Sequence, residues 1–337
     1  MSSANPRPKD VLLFVTPHFN ISATTSFVDP FRVANYLSGT TRFSWRYVSE
    51  PGGMIESSSG VSVETLPLNS EGKTTPWLAM VSSSWAPEQY CTPTIKSAFS
   101  GWQRRGALIA GLDTGGILLA EAGLLRGRKA TVHYEHIDAF IEIAPETEVS
   151  EDLIVFEDGV VTCCGGSAST DLGLRLVHDQ MGESVANACA RYLFHHELRG
   201  AGASQNPKGA EPLGYVTPSI VRAAIDLMEA HLEVPLSIPE IARQLGKSQR
   251  QLARLFQTYV RKSPVEYYRD IRLDRARGLV TQTELKLSEV AAASGFNSQI
   301  HFSRAYTQRF GLSPSKDRIA GRVPFEFRAW PMHERKG

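Results

Sequence analysis

The chain has 337 residues and only four cysteines, Cys91, Cys163, Cys164 and Cys189. None sits in a C-x-x-C pair and none has a histidine at metal-ligand spacing, which excludes a zinc-finger or disulfide framework. Reduced thiols in a cytoplasmic protein are expected instead. Long apolar runs are also missing: nothing approaches the roughly 18 uninterrupted apolar residues that a membrane span needs. The N-terminal MSSANPRPKDVLLFV offers one short apolar run with no small-residue cleavage pattern after it, unlike a secretory signal. Neither a cofactor nor a metal is expected, and no membrane partner. A strong overall charge is lacking as well, the net being +1.

That near-zero balance hides a division. Residues 1–207 carry 15 Lys+Arg against 22 Asp+Glu, whereas residues 208–337 carry 21 against 13. An acidic front and a basic back point to two domains with different partners, the basic one suited to nucleic acid.

In the front half, apolar runs that read as strands (11-VLLFV, 43-FSWRYVS, 77-WLAMVSS, 107-ALIAGL, 129-KATVHY, 153-LIVFED, 160-VVTCCGG) alternate with helical patterns near 25–37, 94–105, 116–125, 137–143 and 169–181. This alternation predicts crossovers and a mainly parallel sheet, an α/β three-layer sandwich. Residues 200-GAGASQNPKGAEPLG-214 have no periodicity and read as a linker. The expected division is 1–197, a linker at 198–214, a second domain at 215–325 and a tail at 326–337.

After Pro218 strand signals stop and an internal repeat begins. A shift of 50 residues places Ser248, Leu252, Arg254, Phe256, Ser263 and Pro264 on Ser298, Phe302, Arg304, Tyr306, Ser313 and Pro314. In the first copy, Ser237 and Glu240 form an S-x-x-E capping box, and Ile238, Ile241, Ala242 and Leu245 follow helical spacing to Gly246. Ser248 opens a second helix whose stripe of Leu252, Leu255, Phe256 and Tyr259 leaves Arg250, Arg254 and Gln257 on the opposite face. In the second copy, Leu287, Val290 and Ala291 precede Gly295. Phe302, Ala305 and Tyr306 then face in, while Ile300, Arg304 and Thr307 face out and Ser298, Gln299 and His301 lie at the helix start. Two helices joined by a tight turn, used twice, predict an all-α double helix-turn-helix domain. The helical stretch 264–281 between the copies can hold two recognition helices about one DNA turn, ~34 Å, apart.

On 248-SQRQLARLF, 262-KSPVEYY, 271-IRLDRAR, 289-EVAAASGF and 301-HFSRAYTQRFGLSPS, the segment ~236–320 closely resembles the AraC-type DNA-binding domain. The resemblance implies a transcription regulator that inserts helices 248–259 and 298–309 into successive major grooves. Arg250, Arg254, Gln257, Ser298, Gln299, Ile300 and Arg304 are the candidate DNA contacts. Arg pairs with guanine O6/N7, Gln with adenine, and an outward Ile reaches a thymine methyl or tucks back.

The front half holds 109-IAGLDTGG, which has the spacing of the G-x-S-x-G nucleophile elbow with Asp113 at its tip. Together with 129-KATVHYEH and 161-VTCCGGSASTDLGLRLV, it resembles the class I glutamine amidotransferase-like (PfpI-type) domain. That domain carries a cysteine where Asp113 stands and a histidine where His133 stands. A carboxylate is a poor nucleophile toward amides, so no catalytic residue is assigned and the chain is not expected to be an enzyme. Three readings of Asp113 remain open: a helix N-cap accepting from Gly115 or Gly116, a negative charge facing a cationic ligand, and a catalytic carboxylate. His133 reads as a satisfied core histidine or a ligand contact. Thr114, Tyr134, Glu135, Phe19, Asp29 and Trp85 complete the effector-binding candidates, the aromatics as faces for a quaternary ammonium.

The fusion resembles regulators of glycine betaine, carnitine or arginine catabolism. That implies a small betaine-, carnitine- or amino-acid-like effector, double-stranded DNA and RNA polymerase as partners, and a homodimer that activates transcription. A hydrolase tethered to DNA and a ligand-independent dimeric DNA binder are the alternatives.

Overall fold

The structure, a computed structural model, describes residues 7–71, 74–195, 198–205 and 217–321. The chain divides into two compact units, Met1–Asn206 and Pro207–Gly337, close to the point where the charge balance changes sign.

The first unit runs β1 (Lys9–Val15), α1 (Ile21–Ser38), β2 (Phe43–Ser49), β3 (Gly53–Glu56), β4 (Ser62–Pro67), β5 (Leu78–Ser83), α2 (Pro93–Arg104), β6 (Leu108–Asp113) and α3 (Gly115–Glu121). It continues with β7 (Lys129–Thr131), α4 (Ile137–Ile143), β8 (Glu148–Ser150), β9 (Ile154–Glu157), β10 (Val160–Cys163), α5 (Ala168–Met181) and α6 (Glu183–Tyr192). Eight strands form one sheet in the order β3-β4-β2-β1-β5-β6-β10-β9. The strands from β4 to β10 pair in parallel, and the edge strands β3 and β9 are antiparallel.

Central strands of such a sheet are covered on both faces, so they read as unbroken apolar runs. In β1, Val11 and Leu13 enter a core shared with α1, α5 and α6, while Leu12 and Phe14 enter another shared with α2, α3 and α4. Helix, sheet, helix is the three-layer sandwich.

Three expectations need correction. The run 129–134 is not a strand of the main sheet: β7 ends at Thr131 and pairs only with β8, and Tyr134–His136 is a single 3-10 turn. The hairpin β3–β4 carries too few apolar residues to be read as strands; only Ile55 and Thr65 are buried in it. Residues 198–205 are not a free linker. The carbonyls of Ala203 and Ala201 accept from the amides of Leu153 and Ile154 at 2.7 and 3.1 Å, and Gln205 donates to the Val132 carbonyl at 2.8 Å. Small side chains let this segment lie against a sheet edge that would otherwise stay unpaired, and composition cannot tell that from flexibility. Arg199 within this segment and His195 just before it grip the fully buried Asp171 of α5. The remainder of the expected linker, 206–214, and the tail at 326–337 lie outside the described residues.

The second unit comprises α7 (Ser219–Glu229), α8 (Ile238–Gln244), α9 (Gln249–Tyr259), α10 (Pro264–Gln282), α11 (Leu287–Ala293), α12 (Gln299–Phe310) and α13 (Pro314–Gly321). Ser237, Ser248 and Ser263 each close a reciprocal capping box, with Glu240, Gln251 and Glu266. Two separate apolar clusters form, one from α7–α9 with Tyr268, the other from α10–α12. Each helix-turn-helix therefore has its own core, with α10 contributing to both.

Candidate effector site and candidate DNA interface

Parallel pairing brings the C-terminal ends of β1, β5 and β6 to one edge: Val15 is level with Ser82, and Ser83 with Asp113. Open α/β sheets bind ligands at this edge. Hydroxyls lock it together. Thr16 Oγ1 donates to Ser83 Oγ at 2.9 Å, Thr24 Oγ1 to Ser82 Oγ at 2.8 Å, and Thr114 Oγ1 to the Ser84 carbonyl at 2.9 Å.

Asp113 stands at the tip of the elbow with φ +59°, left-handed backbone that is uncommon outside glycine. The turn is tight because α3 starts at once: a Cβ on Gly115 would lie 2.3 Å from the Val81 carbonyl oxygen. Asp113 is not the cap of this helix. Thr114 holds the cap position and makes no side-chain cap bond, while Asp113 Oδ2 accepts from Asn20 Nδ2 at 2.7 Å. Asn20 also caps α1, its Oδ1 accepting from the Ala23 amide at 3.0 Å.

Asp113 is 5% exposed. Burial pushes its carboxyl up to about 6; His133 and the Asn20 amide pull it down, and Glu135 pushes it up. An ionisable group shifted this way beside a named charge partner marks a functional-site candidate.

His133 lies past the end of β7, not on a strand, and is half-buried. Its Nδ1 accepts from the Glu135 amide at 3.4 Å, and its own amide donates to the Asp113 carbonyl. Tyr134 stacks on the His133 ring at 4.5 Å with its own side chain exposed. His136, missed in the sequence, presents its ring 6.4 Å from that of His133; it is buried, its Nδ1 has no partner among the described residues, and burial pulls it down to about 3.

Trp85 follows β5 and is exposed. Two candidates are elsewhere. Phe19 is fully buried in a small cluster with Val15 and Ile55, so its faces are occupied. Asp29 forms a surface ion pair with Arg32 within α1. The thiols supply no replacement nucleophile on the elbow: burial pushes Cys163 up, and Cys164, lowered by the hydrogen bond from Cys163, lies on the neighbouring β10 turn.

The second unit sorts its arginines into two kinds. Arg309 pairs with Asp270 and Asp274, Arg277 with Asp317, and Arg272 donates to the Ser294 and Gly295 carbonyls while lying over Phe296 at 4.4 Å. Arg250 and Arg254 of α9 and Arg304 of α12 are exposed and make no ion pair among the described residues. Gln257, Gln299 and Ile300 share this exposure, Ile300 at 66%, so it does not tuck back. Ser298 accepts from the His301 amide as the cap of α12.

Comparison with known proteins places both units. A helix-turn-helix domain family matches residues 241–319. The HTH-type transcriptional regulator CdhR of Pseudomonas aeruginosa strain PAO1 is 36% identical over 314 residues, 92% of this chain and 91% of that protein. The HTH-type regulator GbdR of P. aeruginosa strain UCBPP-PA14 is 31% identical over 93% of this chain and 85% of its own length. A THiJ/PfpI family protein from Pseudomonas syringae superposes with a TM-score of 0.52 at 17% identity, covering 68% of this chain and 93% of that one; this shows the fold of the first unit alone. No helix among the described residues is long and apolar enough to cross a membrane. With such identity over nearly the whole of both chains, and a PfpI-like sheet ahead of a double helix-turn-helix, this chain belongs to the AraC-type HTH transcriptional regulators.

Proposed function

We propose that the protein is a ligand-responsive regulator, an activator of catabolic genes, that binds a small amine-bearing metabolite at the Asp113 crevice. Residues 1–197 sense the ligand and join two copies, and 215–325 bind DNA and contact RNA polymerase in the cytoplasm. The observation that carries the sensing role is Asp113. A buried, strained carboxylate that caps no helix lowers the stability of the free protein, and a cation seated beside it reverses that cost. A hydrolase finds no support, because the position beside His133 that a nucleophile would take holds a carboxylate.

On the DNA side, Arg254 and Arg304 occupy matching slots on α9 and α12, and both are free to reach a base. Against a duplex selected in vitro by the wild-type chain, Arg254→Ala and Arg304→Ala are each expected to weaken binding by ~1–3 kcal/mol, with the specificity lost at different positions of the site. Fluorescence anisotropy measures the affinity and footprinting the position. If both variants keep the wild-type footprint and affinity, the two-helix reading fails.

A further inference from the structure

We propose that the cation taken by the Asp113 crevice carries N–H bonds, as a primary ammonium or a guanidinium does, and is not a trimethylammonium. The inference rests on the ligand-binding reading above and narrows it.

The two cation classes need different walls. A quaternary ammonium has no donor, and recognition of it depends on aromatic faces packed around its methyl groups. A primary ammonium has three donors and a guanidinium five, and each seeks an acceptor. The crevice is poor in the first kind of wall. Phe19 is sealed in the core and one face of Tyr134 is covered by His133, which leaves the other face of Tyr134 and the exposed Trp85. Two exposed rings, one of them with a face already covered, do not enclose a methylated nitrogen.

It is rich in the second kind. Among the described residues Asp113 receives one side-chain donor, the Asn20 amide on Oδ2. Glu135 stands close enough to raise the Asp113 carboxyl electrostatically, so two carboxylates share one neighbourhood. His136, its ring 6.4 Å from that of His133, is 8% exposed, and its Nδ1 has no partner among the described residues. A buried polar atom without a partner is costly and calls for an explanation, and a bound donor supplies one. Charge-assisted N–H bonds to a carboxylate close to ~2.7–2.9 Å; methyl groups would hold a quaternary nitrogen farther from Asp113 and leave His136 unsatisfied.

The groups facing Asp113 also set the pH response. Asn20 comes from the start of α1, Thr114 from the elbow, His133 and Glu135 from the turn after β7, and Cys164 from the end of β10. Among these the Asp113 carboxyl, held near 6, must ionise for a cation to bind well. Affinity for an amine is therefore expected to rise with pH through that value and level off above it.

The test is calorimetric titration and thermal unfolding of the full chain with matched pairs. Glycine is paired with its N-trimethyl form, 4-aminobutyrate with its N-trimethyl form, and agmatine represents guanidinium. Each probe is run on wild type and Asp113→Asn at pH 7.5 and, on wild type, at pH 5. The expected result is at least one N–H-bearing probe binding about tenfold or more tightly than its trimethyl partner, and losing about tenfold both in Asp113→Asn and at pH 5. Tighter binding of a trimethyl member overturns the inference while leaving the ligand-binding reading intact. Binding of no probe from either class overturns both. The pH arm needs no variant, so a folding defect in Asp113→Asn does not remove the test.

Discussion

Asp113→Asn is expected to raise the melting temperature of the ligand-free protein at pH 7.5, and to do so much less at pH 4.5. The native carboxyl titrates near 6 rather than at its ordinary 3.8 because burial disfavours the ionised form. Below 3.8 the group is protonated in the folded and unfolded chain alike and costs nothing. Between 3.8 and 6 the folded chain holds its proton when the unfolded chain has lost it, so stability falls as pH rises. Above 6 the full cost is present, on the order of 3 kcal/mol, and about two-thirds of it disappears by pH 4.5. Asparagine copies the shape of the protonated acid, still accepts from Asn20, and tolerates the left-handed backbone. For a unit of about 200 residues, 1 kcal/mol moves the midpoint by ~2–4 °C, so the gain at pH 7.5 is several degrees. Calorimetry at the two pH values decides it. An unchanged or lower midpoint at pH 7.5 would mean that His133 and Asn20 already offset the burial, and that the carboxylate is structural. A gain accompanied by loss of response to amine would instead be the signature of a residue kept for binding at the expense of stability.

Much of this site was legible in the sequence, but unevenly. The elbow and its carboxylate follow from glycine spacing, because only a glycine fits where Gly115 meets the Val81 carbonyl. His133 follows from the resemblance, and Glu135 from its charge two residues on. Asn20 and His136 do not, since a side chain's partner 93 residues away leaves no local trace and an unpartnered nitrogen leaves none at all. Phe19 and Asp29 show the reverse failure: each lies in or near a segment leading from the right sheet edge, but sequence position does not say which way a side chain turns. Similarly, β1 was plain as a run of apolar residues, whereas the β3–β4 hairpin at the edge, with one face open to water, carries no such run. In the helical unit α8 to α12 were readable, because their signals are local, a serine cap, a stripe or a glycine stop, whereas α7 and α13 were not read. What stayed hidden there was the fate of the arginines, since Arg309 and Arg304 lie on the same helix and only the first meets carboxylates.

The two stop glycines make that difference measurable. Gly246 and Gly295 end the first helix of each copy, both with positive φ, +63° and +71°. A Cβ on Gly246 meets nothing within 4 Å; on Gly295 it would lie 2.5 Å from the Leu232 carbonyl oxygen and 2.6 Å from the Pro235 ring. Alanine at either site incurs the left-handed penalty of about 1–2 kcal/mol. At Gly295 it must also displace backbone and a proline ring, which adds overpacking of roughly 1–3 kcal/mol. Little can relax, because Arg272 holds the opposite side of the turn through the Ser294 and Gly295 carbonyls at 3.0 and 2.7 Å. Gly295→Ala is therefore expected to destabilise the full chain by ~3 kcal/mol or more and to reduce affinity for the selected duplex over tenfold, since α12 and Arg304 follow this turn directly. Gly246→Ala should cost about a third as much and keep most of the DNA affinity. Denaturant titration and anisotropy on the same two variants separate the causes. Equal losses would show that backbone strain alone governs both turns. A Gly295 variant that melts early yet binds DNA normally would detach the second helix-turn-helix from recognition.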